Sequence, residues 1–216
     1  MIPARSGSKG LVDKNIIEIV GKPLISFAIE PLLKCQMIHS VYINSDCDSY
    51  LEIGSQWGAK QYKRQKNIAL DNSSMKEVIN DFINNEFIIE KDFEILLVLY
   101  PTHPIWKTDS VEKMIKKFLS MGSNRPFIGL INAKTHPYLC YHRDSNGHIK
   151  NIMGIDENKY YRRQQYPKYF QISGGLYIMP ISKITTLNAQ LISNESYGYI
   201  IPNEETHVDI DTQDDL

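Results

Sequence analysis

Apolar residues recur along this chain in two spacings, and the spacings alternate. Met1-Ile-Pro-Ala4 is a short apolar opening, and Ser40-Val-Tyr-Ile-Asn44 is a β-branched run. Glu94 to Tyr100, Phe127 to Ile131, Ile172 to Met179 and Tyr197 to Ile201 are of the same kind. Each is short enough to be a buried strand, and Lys60 to Arg64 reads as a further short one. Between them, Leu24 to Leu33, Ser49 to Trp57, Met75 to Phe87, Ser110 to Met121 and Ile181 to Asn188 read as helices. Val78, Ile79, Phe82 and Ile83 show the spacing well. Pro31 should bend or shorten the first helix. Gly58 and Gly122 stand where helices stop.

After Ala133 the alternation breaks. Tyr138 to His142 and Ile149 to Met153 flank the turn signal Asp144-Ser-Asn-Gly147, which predicts a hairpin. The fold expected is α/β: an open, mostly parallel sheet with helices on both faces. Residues 1–216 form one domain in this reading, with 134–163 as a small antiparallel excursion.

Composition narrows the function classes. The chain has 216 residues, 42% hydrophobic and 23% charged, as expected of a globule with its own core. Lys plus Arg is 24 and Asp plus Glu is 25, a formal charge of −1. That balance argues against a general nucleic-acid binder. The longest apolar runs are too short to span a bilayer. Cys35, Cys47 and Cys140 are odd in number and widely spaced, with neither a zinc pattern nor a disulfide framework. A reducing cytoplasm is the simplest setting.

Three constellations carry candidate chemistry. Arg5, Gly7, Ser8, Lys9, Gly10 and Lys14 follow the first strand, and such a loop offers backbone N–H groups and cations to phosphates. It is neither a Walker loop nor Gly-x-Gly-x-x-Gly, and a solvated basic turn is the plain alternative. Arg162-Arg163-Gln164, followed by Ser173-Gly174-Gly175, suits an anion gripped by guanidinium beside close-approaching backbone. An exposed loop entering a bulged strand would look the same. Asp209 and Asp211, at i and i+2 on a strand, would share a face and offer hard oxygen ligands to Mg2+. A solvated acidic terminus, with Asp211-Thr-Gln-Asp214 capping a helix, is the alternative there. The histidines show no paired zinc spacing, and His103-Pro and His136-Pro read as loop structure. No Gly-x-Ser-x-Gly elbow is present.

Taken in order, these segments resemble the acylneuraminate cytidylyltransferases, the CMP-sugar synthetases of nine-carbon 2-keto acids. Ile2-Pro-Ala-Arg-Ser-Gly-Ser-Lys-Gly10 with Lys14-Asn15 is similar to that family's nucleotide signature. Arg64 with Asp71-Asn-Ser-Ser74 resembles its second nucleotide segment, and Pro101-Thr102-His-Pro104 its Pro-Thr-Ser-Pro turn. Arg163-Gln164-Gln-x-Pro167 with Gly174-x-x-Tyr177 resembles its sugar segment, and Asp209-Ile-Asp-Thr212 its late metal-binding strand.

The resemblance implies a nucleotide-diphospho-sugar transferase-like fold and a reaction of CTP with a 2-keto sugar acid that releases pyrophosphate. It places Arg5, Lys9 and Lys14 on the triphosphate, and Asn15, Arg64 and Ser74 near the cytidine and ribose. Asp209 and Asp211 would hold Mg2+. Tyr100, Thr102, Arg163, Gln164, Gly174 and Tyr177 would line the sugar side. It also implies a homodimer formed through the excursion. Departures cluster on the sugar side: Tyr100 stands in place of Gln, Trp106-Lys107 of Arg, Leu139 of Lys, Gln171 of Arg, and Leu191-Ile192 of an aromatic pair. That pattern suits a different sugar, such as a legionaminic- or pseudaminic-type acid, and equally a weakened enzyme. An eight-carbon acid, or a non-catalytic nucleotide- or sugar-binding module on the same fold, stays open.

Overall fold

The structure, a computed structural model, describes residues 1–8, 10–85, 92–202 and 208–216. Its first strand, β1 (Ile2–Pro3), pairs in parallel with β4 (Tyr42–Ser45), and β4 with β5 (Lys60–Lys63). A second group holds β6 (Ile95–Leu99), β7 (Phe127–Asn132), β10 (Phe170–Pro180) and β11 (Tyr197–Ile200) in the order β11-β7-β10-β6. Met1 joins the groups. Its amine donates to the Leu97 carbonyl at 2.7 Å and its carbonyl accepts from the Leu99 N–H, as in a parallel ladder. β10 runs antiparallel to both neighbours, and β11 is parallel to β7. The expectation of a mostly parallel open sheet holds, with β10 reversed. No crossover helix separates β7 from β10; the chain returns through the excursion and pairs antiparallel.

Helices cover both faces. α1 (Leu24–Lys34), α2 (Asp48–Gln56) and α4 (Thr108–Ser120) bury Ile25, Ile29, Leu51, Met114 and Phe118 against Ile43, Leu99 and Ile178. On the other face α3 (Met75–Ile83) packs Val78, Ile79 and Phe82 against Tyr42, Val98 and Met179. Neighbouring strand residues such as Tyr42 and Ile43 serve opposite cores, as the period of two requires. Each fully buried side chain of this size contributes about 1.5–3 kcal/mol.

Several elements differ from expectation. α1 runs through Pro31 to Lys34 because its buried stripe outweighs the one forgone hydrogen bond. Ile181–Thr186 is a 3-10 turn and not an α-helix. A small hairpin, β2 (Glu18–Ile19) with β3 (Lys22–Pro23), turns on Val20 and Gly21, both at positive φ. The excursion hairpin is short: β8 (Tyr141–Arg143) pairs with β9 (Ile149–Asn151). Residues 208–210 form no strand, so the expected same-face alternation of Asp209 and Asp211 does not occur. Phe87, expected at the end of α3, lies outside the described residues. Among the described residues no helix is long and apolar enough to cross a membrane.

Candidate active site

The parallel strands end on one edge of the sheet, where ligands of open α/β folds sit. β1 leads into the Arg5–Asn15 loop, β4 into Asp46, β5 into Arg64 and β6 into Tyr100–Thr102. A pocket of about 180 Å3 lies there, lined by Arg5, Ser8, Lys14, Asn15, Arg64, Met75, Tyr100 and Thr102. Segments far apart in sequence thus converge there. Lys9, expected on the triphosphate, lies outside the described residues.

The loop is braced from three sides. Asp46 accepts from the Ser6 N–H at 2.8 Å and from its hydroxyl at 2.6 Å. Burial by itself would raise the Asp46 carboxyl, but the two Ser6 bonds, with Arg64 nearby, outweigh it and leave the pKa below the usual range. Asn15, 6% exposed, donates to the Arg5 carbonyl at 3.0 Å. The Tyr50 hydroxyl donates to Asp13 at 2.9 Å. Gly7 sits at φ 67°, where other residues strain. At Gly10 a Cβ would lie 2.5 Å from the Asp211 carbonyl, so the loop and the last segment touch backbone to backbone.

Carboxylates hold both described cations of the early loop. Arg5 pairs with Asp71 at 2.8 Å and Lys14 with Asp211 at 2.5 Å. Arg64, 3% exposed, donates to the Asn44 side chain at 2.7 Å and to its carbonyl at 3.0 Å. Burial pushes its pKa down to about 10, against the pull of Asp46 and Asp81. Ser74 is occupied differently from expectation. It caps α3, accepting from the Glu77 N–H while Glu77 reaches back to the Ser74 N–H.

On the β6 side, Tyr100 and Tyr177 meet at 6.0 Å between ring centroids, and burial raises both phenols. Tyr100 lines the pocket; Tyr177 is 7% exposed and packs in the core beneath it. His103 Nε2 bonds the Ser173 carbonyl at 2.7 Å, so that nitrogen carries a hydrogen. Its Nδ1 lies 3.1 Å from the Thr102 hydroxyl and 3.6 Å from Asp209. The Ile210 N–H donates to the Thr102 carbonyl, which docks the acidic segment onto this turn. Gly174, at φ 74°, and Gly175 make room for the side chains of His103 and Trp106.

Arg163 and Gln164 lie elsewhere on the same edge, in the 3-10 turn Arg163–Gln165, both exposed. Arg163 lines a second, open depression of about 580 Å3 with Lys134, His136, Tyr166 and Tyr169. At the other end of the chain, the cap is made by Thr212 and Asp215, not by Asp211 and Asp214. Asp215 accepts from the N–H groups of Asp211 and Thr212 and from the Thr212 hydroxyl.

Sequence reasoning missed Asp46 and Lys134; in it Asp71 reads only as part of the second nucleotide segment, and Asp215 only as part of a capping terminus. Only Asp46 left a signal, as the first acid after a buried strand.

Residues 1–178 match the sequence model of the family described as cytidylyltransferase. The chain belongs to the cytidylyltransferase family. It is 27% identical over 219 residues to the N-acylneuraminate cytidylyltransferase of Streptococcus agalactiae serotype III, a match covering 100% of this chain and 51% of that protein. The chain therefore spans about half the length of the first curated relatives it matches. It is 28% identical over 217 residues to the pseudaminic acid cytidylyltransferase of Campylobacter jejuni, covering 100% of this chain and 91% of that one. A solved structure described as CMP:2-keto-3-deoxy-manno-octonic acid synthetase complexed with CTP superposes with a TM-score of 0.68. It covers 98% of this chain and 91% of its own, and at 16% identity it shows the shared fold.

Proposed function

We propose that the chain transfers CMP from CTP to the anomeric 2-hydroxyl of a nine-carbon 2-keto sugar acid and releases pyrophosphate. One observation carries this reading. The phosphate-type loop, Arg64 and the Tyr100–Thr102 turn line one pocket at the strand ends, and the Lys14–Asp211 and Ile210–Thr102 contacts tie the acidic segment to two of its lining residues. The family membership and the names of the relatives support the same chemistry.

In the proposed reaction the acceptor oxygen bonds the α-phosphorus as the bond to the bridging oxygen breaks, and the hydroxyl proton passes to solvent. Positioning and charge stabilisation dominate such transfers. Arg5, Lys9 and Lys14 hold the triphosphate, with backbone N–H groups of the loop. Asn15 and Arg64 set the nucleotide end of the pocket. Arg163 faces the sugar acid from the neighbouring depression.

The donor chemistry at Asp209 and Asp211 fits Mg2+. Both side chains are open to solvent, 46% and 62% exposed, and Mg2+ takes one or two carboxylates plus substrate phosphates. Among the described residues no group of three His, Cys, Asp or Glu side chains could hold a metal alone, so the fit includes the triphosphate. Bound there, Mg2+ would neutralise charge building on the departing pyrophosphate. Lys14 would then exchange Asp211 for a phosphate.

A homodimer belongs to the same reading. Ile149, Ile152, Met153 and Tyr161 of the excursion are 66%, 58%, 47% and 64% exposed, an apolar face of the kind that marks interfaces. A cytoplasmic setting rests on the three cysteines, all free.

The test is pyrophosphate release from CTP with a panel of eight- and nine-carbon 2-keto sugar acids, with and without Mg2+. Mg2+-dependent release with a nine-carbon acid is expected. Absence of release with every acid would overturn the proposal.

A further inference from the structure

His103 reads from the sequence as loop structure, yet the fold gives it a seat of its own. It is 7% exposed and stands where three segments meet: the turn after β6, the bulge of β10 and the acidic segment. The ladder between β10 and β7 shifts register between Ile172 and Tyr177, and Gly174 and Gly175 lie in that shift. A Cβ at Gly175 would come within 3.1 Å of the His103 ring at Cγ and 3.2 Å at Cδ2, and one at Gly174 within 3.6 Å of Cε1. The bulge is thus shaped around the imidazole.

Both ring nitrogens are engaged, so the ring cannot turn without losing a bond. Nε2 donates to the Ser173 carbonyl at 2.7 Å, and in the neutral ring Nδ1 accepts from the Thr102 hydroxyl at 3.1 Å. The fixed edge then faces Asp209, whose carboxylate lies 3.6 Å from Nδ1. The backbone next to Asp209 is pinned as well, because the Ile210 N–H donates to the Thr102 carbonyl at 2.9 Å. Asp211 is held by Lys14, whereas the Asp209 side chain, 46% exposed, leans on the His103 ring.

We propose that His103 is a positioning residue: its ring, locked between Ser173 and Thr102, sets the rotamer in which Asp209 meets the divalent cation. The inference rests on the metal and CTP reading above and adds a residue to it. A side chain already held in its bound rotamer gives up less freedom when it takes a ligand. His103 acts through Asp209 and ties the β10 bulge to the acidic segment by one side chain.

The experiment is calorimetric titration of the full chain with α,β-methylene CTP, with and without Mg2+. The quantity read is the factor by which Mg2+ tightens the analogue, which should be about tenfold or more in the wild-type chain. His103→Gln keeps a donor for Ser173 and loses Nδ1. It should cut the factor about fivefold, leave the metal-free affinity within about twofold and hold the melting temperature within about 2 °C. His103→Asn keeps an amide at the Nδ1 position and gives up the Ser173 bond, so it should retain most of the factor and melt several degrees lower. In an Asp209→Asn background His103→Gln should change the factor no further, because both act through one carboxylate. A wild-type factor in His103→Gln overturns the proposal, as does a further loss in the Asp209→Asn background or the lack of any Mg2+ effect in the wild type. So does a loss in both variants that tracks the melting temperature, which would make His103 a brace alone. Pyrophosphate release from CTP in the same preparation separates the two proposals: a factor that responds as expected without turnover of any acid would sink the reaction and leave the positioning role standing.

Discussion

Lys14 Nζ lies 2.5 Å from Asp211 Oδ1, which ties the first loop to the last segment across 197 positions of sequence. Arg5 is paired in the same way with Asp71. The described cations of the loop are thus neutralised by the protein itself before any phosphate arrives. Asp211 is 62% exposed, so its pair is screened and worth only about 0–1 kcal/mol. A triphosphate with several negative charges would displace such partners at small cost.

Asp211→Asn should therefore separate catalysis from folding. An amide is a poorer ligand for Mg2+ than a carboxylate. Turnover should fall on the order of a hundredfold, a loss of about 2.7 kcal/mol in transition-state stabilisation. Stability should change by less than about 1 kcal/mol, because the pair is exposed. Pyrophosphate release across a Mg2+ titration, beside thermal melts, checks both. Wild-type rates at limiting Mg2+ would remove Asp211 from the metal site.

Asp46→Asn should loosen the loop without touching the ligand. Losing the charged acceptor of two Ser6 bonds should cost about 1 kcal/mol at this partly exposed site. The KM for CTP should rise several-fold more than that for the sugar acid. The pH dependence has a definite sign. The folded Asp46 carboxyl is depressed, so its stabilisation is present above the unfolded value of about 3.9 and is lost as pH falls through the folded value. Denaturant melts should show the variant weaker than wild type at pH 6, with the gap closing below about pH 4. A gap that does not shrink as the pH falls below about 4 would mean the carboxylate is not the cause.

Gly175→Ala tests the packing behind the site. The added methyl would meet Trp106 Nε1 at 3.0 Å and His103 Cγ at 3.1 Å, both on buried side chains. Overpacking of this kind costs about 1–3 kcal/mol. His103 should be pushed from Thr102 and Asp209, so turnover should fall along with the melting temperature. A variant with wild-type stability would show that the bulge has slack.

Ile152→Glu addresses assembly. If the excursion face is covered by a second copy, a charge at this 58% exposed position should shift sedimentation from dimer to monomer at micromolar concentration. The isolated fold should be stable, since the residue is open to solvent. A wild-type chain that sediments as a monomer with full activity would end the dimer proposal.

The sequence by itself determined the βα alternation, because strand and helix periodicities are written in windows of a few residues and each buries one kind of face. Ile43, Val98 and Leu99 could be assigned to buried strands, and Val78, Ile79 and Phe82 to a helix stripe, without knowing what they would meet. It also determined the loop, the Pro101–Pro104 turn and the acidic tail as segments, since the types and order of those residues are local facts. Only the tertiary structure decided the direction of β10, because ladder direction depends on the path of the connection and not on the strand's own residues. It turned Asp209–Asp211 from an expected strand into an irregular segment docked on Thr102 and Gly10, where backbone contact overrode the alternating pattern. Ser74 became a cap through Glu77, and Asp46 became the brace of Ser6 through a contact 40 positions away. Lys134 was placed beside Arg163 by the return of the chain through β10. Such pairings are set by non-local packing, where the side chain's partner is chosen by the fold and leaves no periodicity to read.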